Sequence, residues 1–156
     1  MYGLVPYNIS PIQQGIQFGH AVVEYGLAFG YGTPYQQWAK QDKTFIILNG
    51  GTTNNNMTGT HEYKGTLNKA EDELVGMEIP IATFHEPDLG DQLTAVVFLV
   101  DERVYDKEKY PDATLFYEKE VTEETMLLMD NFKNVHGDDW EMIAKMQCFL
   151  SKFRLA

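Results

Sequence analysis

The sequence predicts an α/β fold: a mixed, mostly parallel four-stranded sheet flanked by helices, with an extra C-terminal helical region. Two observations carry this prediction. Short apolar segments of strand length alternate with amphipathic segments of helical period over roughly the first 100 residues. Beyond them the sequence is charged, and its apolar residues recur only at helical spacing. Strands that alternate with helices favour parallel pairing, because a helical crossover returns the chain to the same end of the sheet.

The first strand and the first long helix follow each other directly. Residues 2–7 are apolar and aromatic, which is typical of a buried strand. Ser10 and Pro11 then supply an N-cap and a first-turn proline, and a periodic apolar pattern runs from Ile12 to about Phe29. This segment is the predicted first helix.

The remaining elements have signals of their own. Thr33-Pro34 repeats the helix start signal ahead of Trp38, and a later segment rich in Asn, Thr and Gly predicts an exposed loop or loose hairpin. The predicted bounds, in chain order, are strand 43–48, loop 52–65, helix 66–76, strand 79–84, strand 93–100, helix 118–132 and helix 138–153.

The chain is long enough for one domain with a real core. With 156 residues, 44% of them hydrophobic, we predict a single domain over 1–156 with an insertion at 101–137. The single cysteine, Cys148, cannot form an intrachain disulfide, and we expect an inert thiol on an apolar helix face. The sequence has no secretory signal pattern and no apolar segment of the roughly 20 residues that cross a bilayer. We therefore expect a soluble, cytoplasmic protein.

Charge is the most informative feature of the composition. The chain has 12 basic and 23 acidic residues and a net charge of -11. An acidic chain repels a polyanion unless one face is locally basic, so tRNA is disfavoured as a partner without being excluded. The acidity is explained either by solubility alone or by a basic or neutral partner.

One edge of the predicted first helix is polar. Four side chains fall within a sector of about 60° on it: Gln13, Gln17, His20 and Glu24. Such a stripe faces either solvent or a site, and we expect Gly15 and Gly19 to ease the approach of His20 to the sheet. In the site interpretation, the stripe lines a cleft with groups from the connection between the last two strands: Glu86, Asp88, Asp91 and Thr94. There a carboxylate or His20 would serve as general base for ester hydrolysis, while amide or hydroxyl groups would stabilise the oxyanion.

Two other kinds of site have weaker signals. The loop after the second predicted strand could present N–H groups to a phosphate, although the Gly-Lys-Ser/Thr element of a P-loop is missing; its residues are Asn49, Gly50, Gly51 and Thr52. The four histidines lack metal-binding spacing, and a cation at residues 85–88 is a minor alternative. The sequence therefore predicts no metal site and no cofactor.

Residues 15–25, GIQFGHAVVEY, resemble the first-helix signature of type-two peptidyl-tRNA hydrolases, in which small residues accompany Gln, then His-Ala, then an aromatic residue. The order of elements continues to match over about 100 residues. Residues 86–94 and 149–155 are similar to the divergent peptidyl-tRNA hydrolase domain-containing branch, and residues 43–51 are similar to uncharacterised bacteriophage proteins. The resemblance implies the peptidyl-tRNA hydrolase type-two fold.

The resemblance also implies catalytic roles for Gln17, His20 and Thr94. The enzymes carry a lysine shortly before the glutamine, and Gln13 occupies that position here. They also have an Asp-Ala-Gly turn where this chain has the acidic turn 86–91. Losing one oxyanion donor weakens transition-state stabilisation by roughly 2.7–4 kcal/mol. We therefore expect a sluggish or inactive enzyme.

The leading functional expectation is a non-catalytic or weakly catalytic binding protein, plausibly phage-encoded. Its ligand would be a small molecule such as a sequestered nucleotide, or a host protein. The expected ligand-binding residues are Gln13, Glu24, Asn49, Gly50, Gly51, Thr52, Glu86, Asp88 and Asp91. An active peptidyl-tRNA hydrolase or esterase is the first alternative, and an acidic decoy or inhibitor of a basic partner is the second. The sequence leaves a homodimer open.

Overall fold

A computed structural model of the chain describes residues 1–54 and 64–156. By their contacts these residues form two compact units, Met1–Leu99 with Arg154–Ala156, and Val100–Phe153. The predicted insertion at 101–137 falls inside the second unit, and the assignment of a single domain stays a prediction. Most of the predicted loop 52–65 lies outside the described residues.

The first unit alternates strands and helices, which confirms the α/β class. Most bounds agree with the sequence pattern to within a few residues. They are β1 (Tyr2–Pro6), α1 (Pro11–Phe29), α2 (Thr33–Gln37), a π-helical turn (Trp38–Asp42), β2 (Ile46–Gly51), α3 (Thr66–Gly76), β3 (Ile81–Glu86) and β4 (Gln92–Phe98).

The four strands form one mixed sheet in the order β2-β1-β4-β3. β1 pairs with β2 in parallel, and β4 pairs antiparallel with both β1 and β3. The prediction of a mostly parallel sheet was therefore wrong, since only one of the pairings is parallel. The reason is the short β3–β4 connection: it is too short for a crossover, so β4 folds back antiparallel beside β3 and separates β3 from β1.

α1 packs on one face of the sheet, and a glycine in β1 makes this contact close. A Cβ atom at Gly3 would lie 2.3 Å from the ring of Phe18, so only glycine lets the ring rest on the strand. The expectation that Gly15 and Gly19 ease the approach of α1 was wrong, because a Cβ at either position would meet nothing within 4 Å. Around this contact lies an apolar cluster of Met1, Val5, Phe18, Ala21, Tyr25, Trp38, Ala82, Ala95 and Val97.

Two irregularities in strand pairing occur at one end of the sheet. The pairing of β1 with β2 skips Gly50, and the pairing of β3 with β4 skips Thr94. β1, β2 and β3 end here and β4 begins here. The β1–α1 connection, the loop after β2 and the β3–β4 turn therefore meet at this end. Bulges of this kind redirect side chains and are common beside functional sites.

The second unit is helical, as the sequence predicts for the C-terminal region. It contains α4 (Glu102–Tyr105), α5 (Glu123–His136) and α6 (Trp140–Leu150), with short 3-10 turns between them. α5 begins later than predicted because Thr122 caps it in a reciprocal box with Thr125. Buried Gln147 accepts from the Ala113 N–H at 2.7 Å and donates to two backbone carbonyls. Within both described stretches of the chain, no helix is long and apolar enough to cross a membrane.

Candidate functional site

A chain of three polar side chains links α1 to the β3–β4 turn. Thr94 Oγ1 donates a hydrogen bond to Gln17 Oε1 at 2.6 Å, and Gln17 Nε2 donates to Glu86 Oε2 at 2.6 Å. Thr94 is completely buried, Gln17 is 7% exposed and Glu86 is half-buried. The structure thus brings together three predicted site residues that are far apart in the sequence. We call this chain the Thr94–Gln17–Glu86 network.

Local structure explains why these side chains meet. Thr94 is the bulged residue of β4, so its side chain can turn toward α1 together with that of the neighbouring residue Ala95. Its hydroxyl also lies 3.2 Å from the carbonyl oxygen of Phe84, a second acceptor for its single proton. Gln17 stands one residue before the core residue Phe18, at the border between the buried and exposed faces of α1.

His20 lies next to this network on the surface of α1. Its ring stacks on Phe84 with ring centroids 4.5 Å apart and an interplanar angle of 18°. The residue is exposed, so the imidazole covers one face of the Phe84 ring at the protein surface. The predicted contact of His20 with the sheet is made through this stack.

The electrostatic environment of the network is acidic. Asp88 and Asp91 are exposed in the turn that follows Glu86. The Asp88 N–H lies 3.4 Å from Glu86 Oε1, and the Asp91 N–H donates to the Glu86 carbonyl. Among the ion pairs between described residues, none includes these three carboxylates. A ligand here would meet negative charge from the turn.

The other predicted residues of the α1 stripe have different environments. Gln13 completes a capping box, in which Ser10 donates from its N–H and hydroxyl to Gln13 Oε1, both at 3.1 Å, and accepts from the Gln13 N–H. A ligand role for Gln13 is therefore unsupported, and the Ser-x-x-Gln spacing could have shown this. Glu24 is exposed, as are Gln13 and His20. Of the four stripe residues, Gln17 alone is buried, so the stripe faces the site at one position and solvent at the others.

The loop after β2 holds the start of α3. The Gly51 N–H donates to Asn49 Oδ1 at 2.9 Å, and the Thr52 N–H donates to Thr66 Oγ1 at 2.8 Å. Gly50 packs closely on Leu67, whose Cδ1 would lie 2.7 Å from an added Cβ. The N–H groups of Gly51 and Thr52 therefore have protein acceptors, and phosphate binding by this loop stays a prediction that these contacts do not support.

Glu71, an ionisable residue at the same end of the sheet, was not predicted from the sequence, and His85 was named only in the minor alternative of a cation at residues 85–88. Glu71 on α3 is half-buried, and burial raises its pKa, an effect that the nearby His85 partly offsets. His85 Nδ1 lies 3.0 Å from the Asp91 carbonyl oxygen. Since Glu71 falls on the helical stripe of Leu67, Ala70 and Leu74, its burial could have been predicted from the period of α3.

A cavity that the sequence pattern does not reveal lies at the C-terminal end of α1. It has a volume of about 290 Å³, close to the lower limit for ligand pockets. Its lining is mainly aromatic and proline side chains: Tyr25, Phe29, Tyr31, Pro34, Tyr35 and Pro80. Such a lining suits an apolar or aromatic group. Tyr25 and Phe29 follow the helical period of the core face of α1, so the sequence pattern did not distinguish them from core residues.

No metal centre is evident in the part of the chain that the structure describes, where His, Cys, Asp and Glu side chains form no group of three suited to a metal ion.

No protein-family model matches this chain. No curated protein matches it at a significant level either. The chemistry of the site therefore has to be inferred from its own residues.

Proposed function

We propose that this chain is a non-catalytic or weakly catalytic binding protein built on a peptidyl-tRNA hydrolase-like fold. The observation that carries the proposal is the Thr94–Gln17–Glu86 network. It contains the hydroxyl and the amide that an ester hydrolase on this fold would use, and both are hydrogen bonded within the protein.

Catalysis of ester hydrolysis needs donors that point at the developing oxyanion before the reaction begins. Here the Gln17 amide donates to Glu86, and the single Thr94 proton has two protein acceptors. Turning the Thr94 hydroxyl to a substrate would break a buried hydrogen bond, and turning the Gln17 amide would break a partly buried one. The position of the family lysine is held by Gln13, whose side-chain oxygen binds Ser10. The site therefore supplies little stabilisation to a transition state.

The charges favour a ligand that carries positive charge or hydrogen-bond donors. Glu86, Asp88 and Asp91 surround one end of the network, and the whole chain has a net charge of -11. The His20–Phe84 stack could hold the planar guanidinium of an arginine above these carboxylates. Of the ligands that the sequence allows, a basic segment of a partner protein fits this arrangement better than a nucleotide or tRNA does.

Calorimetric titration with an arginine-rich peptide tests the ligand class. Glu86→Gln should weaken binding about tenfold, which corresponds to roughly 1.4 kcal/mol for one charge-assisted contact. Glu78→Gln is the matched control, since it removes the same charge just before β3, at the opposite end of that strand. Equal effects of both variants would show a general charge effect, and a peptide that does not bind would contradict the proposed ligand class.

Release of labelled peptide from peptidyl-tRNA tests the absence of catalysis. The wild-type chain should release peptide no faster than Gln17→Leu or Thr94→Val. Turnover by the wild type that either substitution abolishes would contradict the non-catalytic form of the proposal, and turnover at the ordinary enzymatic rate of roughly 1 s⁻¹ or more would contradict both forms.

A weak peptidyl-tRNA hydrolase is the second candidate. The observation in its favour is that α1 and β4 bring Gln17, Thr94 and Glu86 into one hydrogen-bonded chain. If only the missing lysine limits the rate, Gln13→Lys should raise turnover by roughly 100-fold or more. Our leading proposal expects no gain from this substitution.

A further inference from the structure

The solvent face of α1 carries an apolar stripe that none of the described residues covers. It consists of Ile12, Ile16, Val23 and Leu27, which are 77%, 51%, 61% and 72% exposed. At about 100° per residue they share a sector of about 60° on the side opposite Ala21 and Tyr25, which face the core. Exposed apolar residues are normal one at a time, whereas a continuous row along a helix indicates an interaction surface.

Two glycines next to this stripe make no close contact with the other described residues. A Cβ at Gly15 or Gly19 would meet nothing within 4 Å, although glycine weakens a helix relative to alanine. Gly26 in the same helix differs, because its Cβ would lie 2.8 Å from the hydroxyl oxygen of Tyr35. Gly15 and Gly19 therefore leave a shallow groove on the outside of α1 in which the side chains of another helix can lie.

The low charge of this face allows a second copy of the same chain to approach it. Two molecules that each carry a net charge of -11 repel each other unless they meet where charge is sparse. α1 has one acidic residue, Glu24, and no lysine or arginine. It is thus a face through which two copies can approach with little repulsion.

The spacing of the stripe matches a two-fold axis. Its residues follow one another at intervals of four, seven and four, and this pattern is the same when it is read backward. An antiparallel pair of α1 helices therefore places Ile12 against the partner's Leu27, and Ile16 against the partner's Val23. In this register Gly15 and Gly19 of both copies lie along the same edge of the contact, where the two backbones can approach closely. A symmetric dimer requires this kind of self-complementary surface.

We propose that the chain forms a homodimer through antiparallel packing of α1 against α1 of a second copy. The two Glu24 carboxylates would be about 13 Å apart along the axis, beyond the screening length of about 10 Å in ordinary buffer. A 19-residue helix is about 28 Å long, so the contact is near the lower limit of about 1,000 Å² for a specific interface. The dimer is accordingly weak and depends on concentration in the micromolar range.

Sedimentation equilibrium of the full chain over the micromolar range tests the association. The mass should rise from 17.8 kDa toward twice that value as concentration increases. A mass of 17.8 kDa at every concentration would overturn the proposal, as would association that Ile16→Glu leaves unchanged.

A charge exchange tests the register. Ile16→Glu alone should weaken the dimer at least tenfold, because it places a carboxylate against the partner's Val23. Adding Val23→Lys should restore association, since each new lysine then faces a glutamate of the partner. The control is Val75→Lys, a valine on α3 that is 59% exposed against 61% for Val23. Association that the control weakens equally, or that the double variant does not restore, would contradict the antiparallel register.

Disulfide formation independently tests the antiparallel orientation of the two α1 helices. In a Cys148→Ser background, Gly19→Cys should form a disulfide-linked dimer because position 19 lies beside the two-fold axis. Leu27→Cys should not, because in the antiparallel pair it faces the partner's Ile12. Cross-linking at position 27 without cross-linking at position 19 would show parallel packing and refute the proposal. None of these substitutions alters Gln17, Glu86 or Thr94, so the dimer is tested separately from the binding function.

Discussion

Removing either end of the buried hydrogen bond between Thr94 and Gln17 should have unequal effects on stability. Thr94→Val keeps the shape and β propensity of the residue but removes the hydroxyl. Gln17→Leu removes the amide from the other side of the same bond. The two variants leave different polar groups behind, and the structure shows which of these groups has another partner.

The larger loss should follow Thr94→Val. Gln17 Oε1 would lose its donor while the residue is only 7% exposed, and an unsatisfied buried acceptor costs about 1–3 kcal/mol. After Gln17→Leu, the Thr94 hydroxyl still has the Phe84 carbonyl oxygen at 3.2 Å, and half-buried Glu86 can bind water. That variant should therefore lose about 1 kcal/mol or less. The double variant should lose less than the sum of the two, because the residues are in direct contact.

Urea unfolding measures this difference. In a Trp140→Phe background the fluorescence of Trp38, which is buried in the first unit, reports that unit alone. Thr94→Ser is the control, since it keeps the hydroxyl and should lose only about 0.5–1.5 kcal/mol for the missing methyl group. If Gln17→Leu destabilises the unit as much as Thr94→Val does, the assignment of hydrogen-bond partners in the network is wrong.

Three further predictions concern other positions. Gly51→Ala should destabilise the first unit by about 1–3 kcal/mol, because φ is +86° and the new Cβ would lie 1.9 Å from Thr66 Oγ1; Gly76→Ala, with open space around it, should change the urea midpoint little. Burial lowers the pKa of His136, so the folded state binds fewer protons than the unfolded state below about pH 6.5. The stability of the second unit should then fall by up to about 1.4 kcal/mol per pH unit as pH decreases through this range, and His136→Leu should remove the slope. Burial raises the pKa of Cys148, so its alkylation, followed by mass spectrometry, should be slower than that of free cysteine until the chain is unfolded.

The helices and strands could be predicted because their signals are local. Ser10 and Pro11 define the start of α1, and the apolar period continues to its end at Phe29. Pairing depends on the connections instead. The short β3–β4 connection makes β4 the antiparallel neighbour of β3. An alternation of strands and helices in the sequence does not reveal this pairing. The skipped residues Gly50 and Thr94 were hidden for a similar reason, since an apolar strand has no alternation from which a register could be read.

The site was predicted in part because helical periodicity places Gln17 toward the β3–β4 turn. Its contacts with Glu86 and Thr94 follow from that direction once the strand order is known. In the loop after β2 the glycines suggest open N–H groups, whereas distant Thr66 supplies the acceptor of the Thr52 N–H. The sequence does not show which donor is satisfied by a residue that is far away along the chain.

The contacts made by each face of α1 explain why glycines and exposed apolar residues, which do not favour a surface helix, occur together in it. Its core face needs Phe18 and Tyr25 against the sheet, and the border of that face needs Gln17 for the network. Neither requirement involves Gly15 or Gly19, because a Cβ at either position would meet no described residue within 4 Å. A free surface helix would be more stable with alanine at these positions and more soluble with charged residues in the stripe. The two glycines and the exposed apolar stripe both favour close apolar contact with another helix. Because these two features are independent, we interpret the outer face of α1 as an interface.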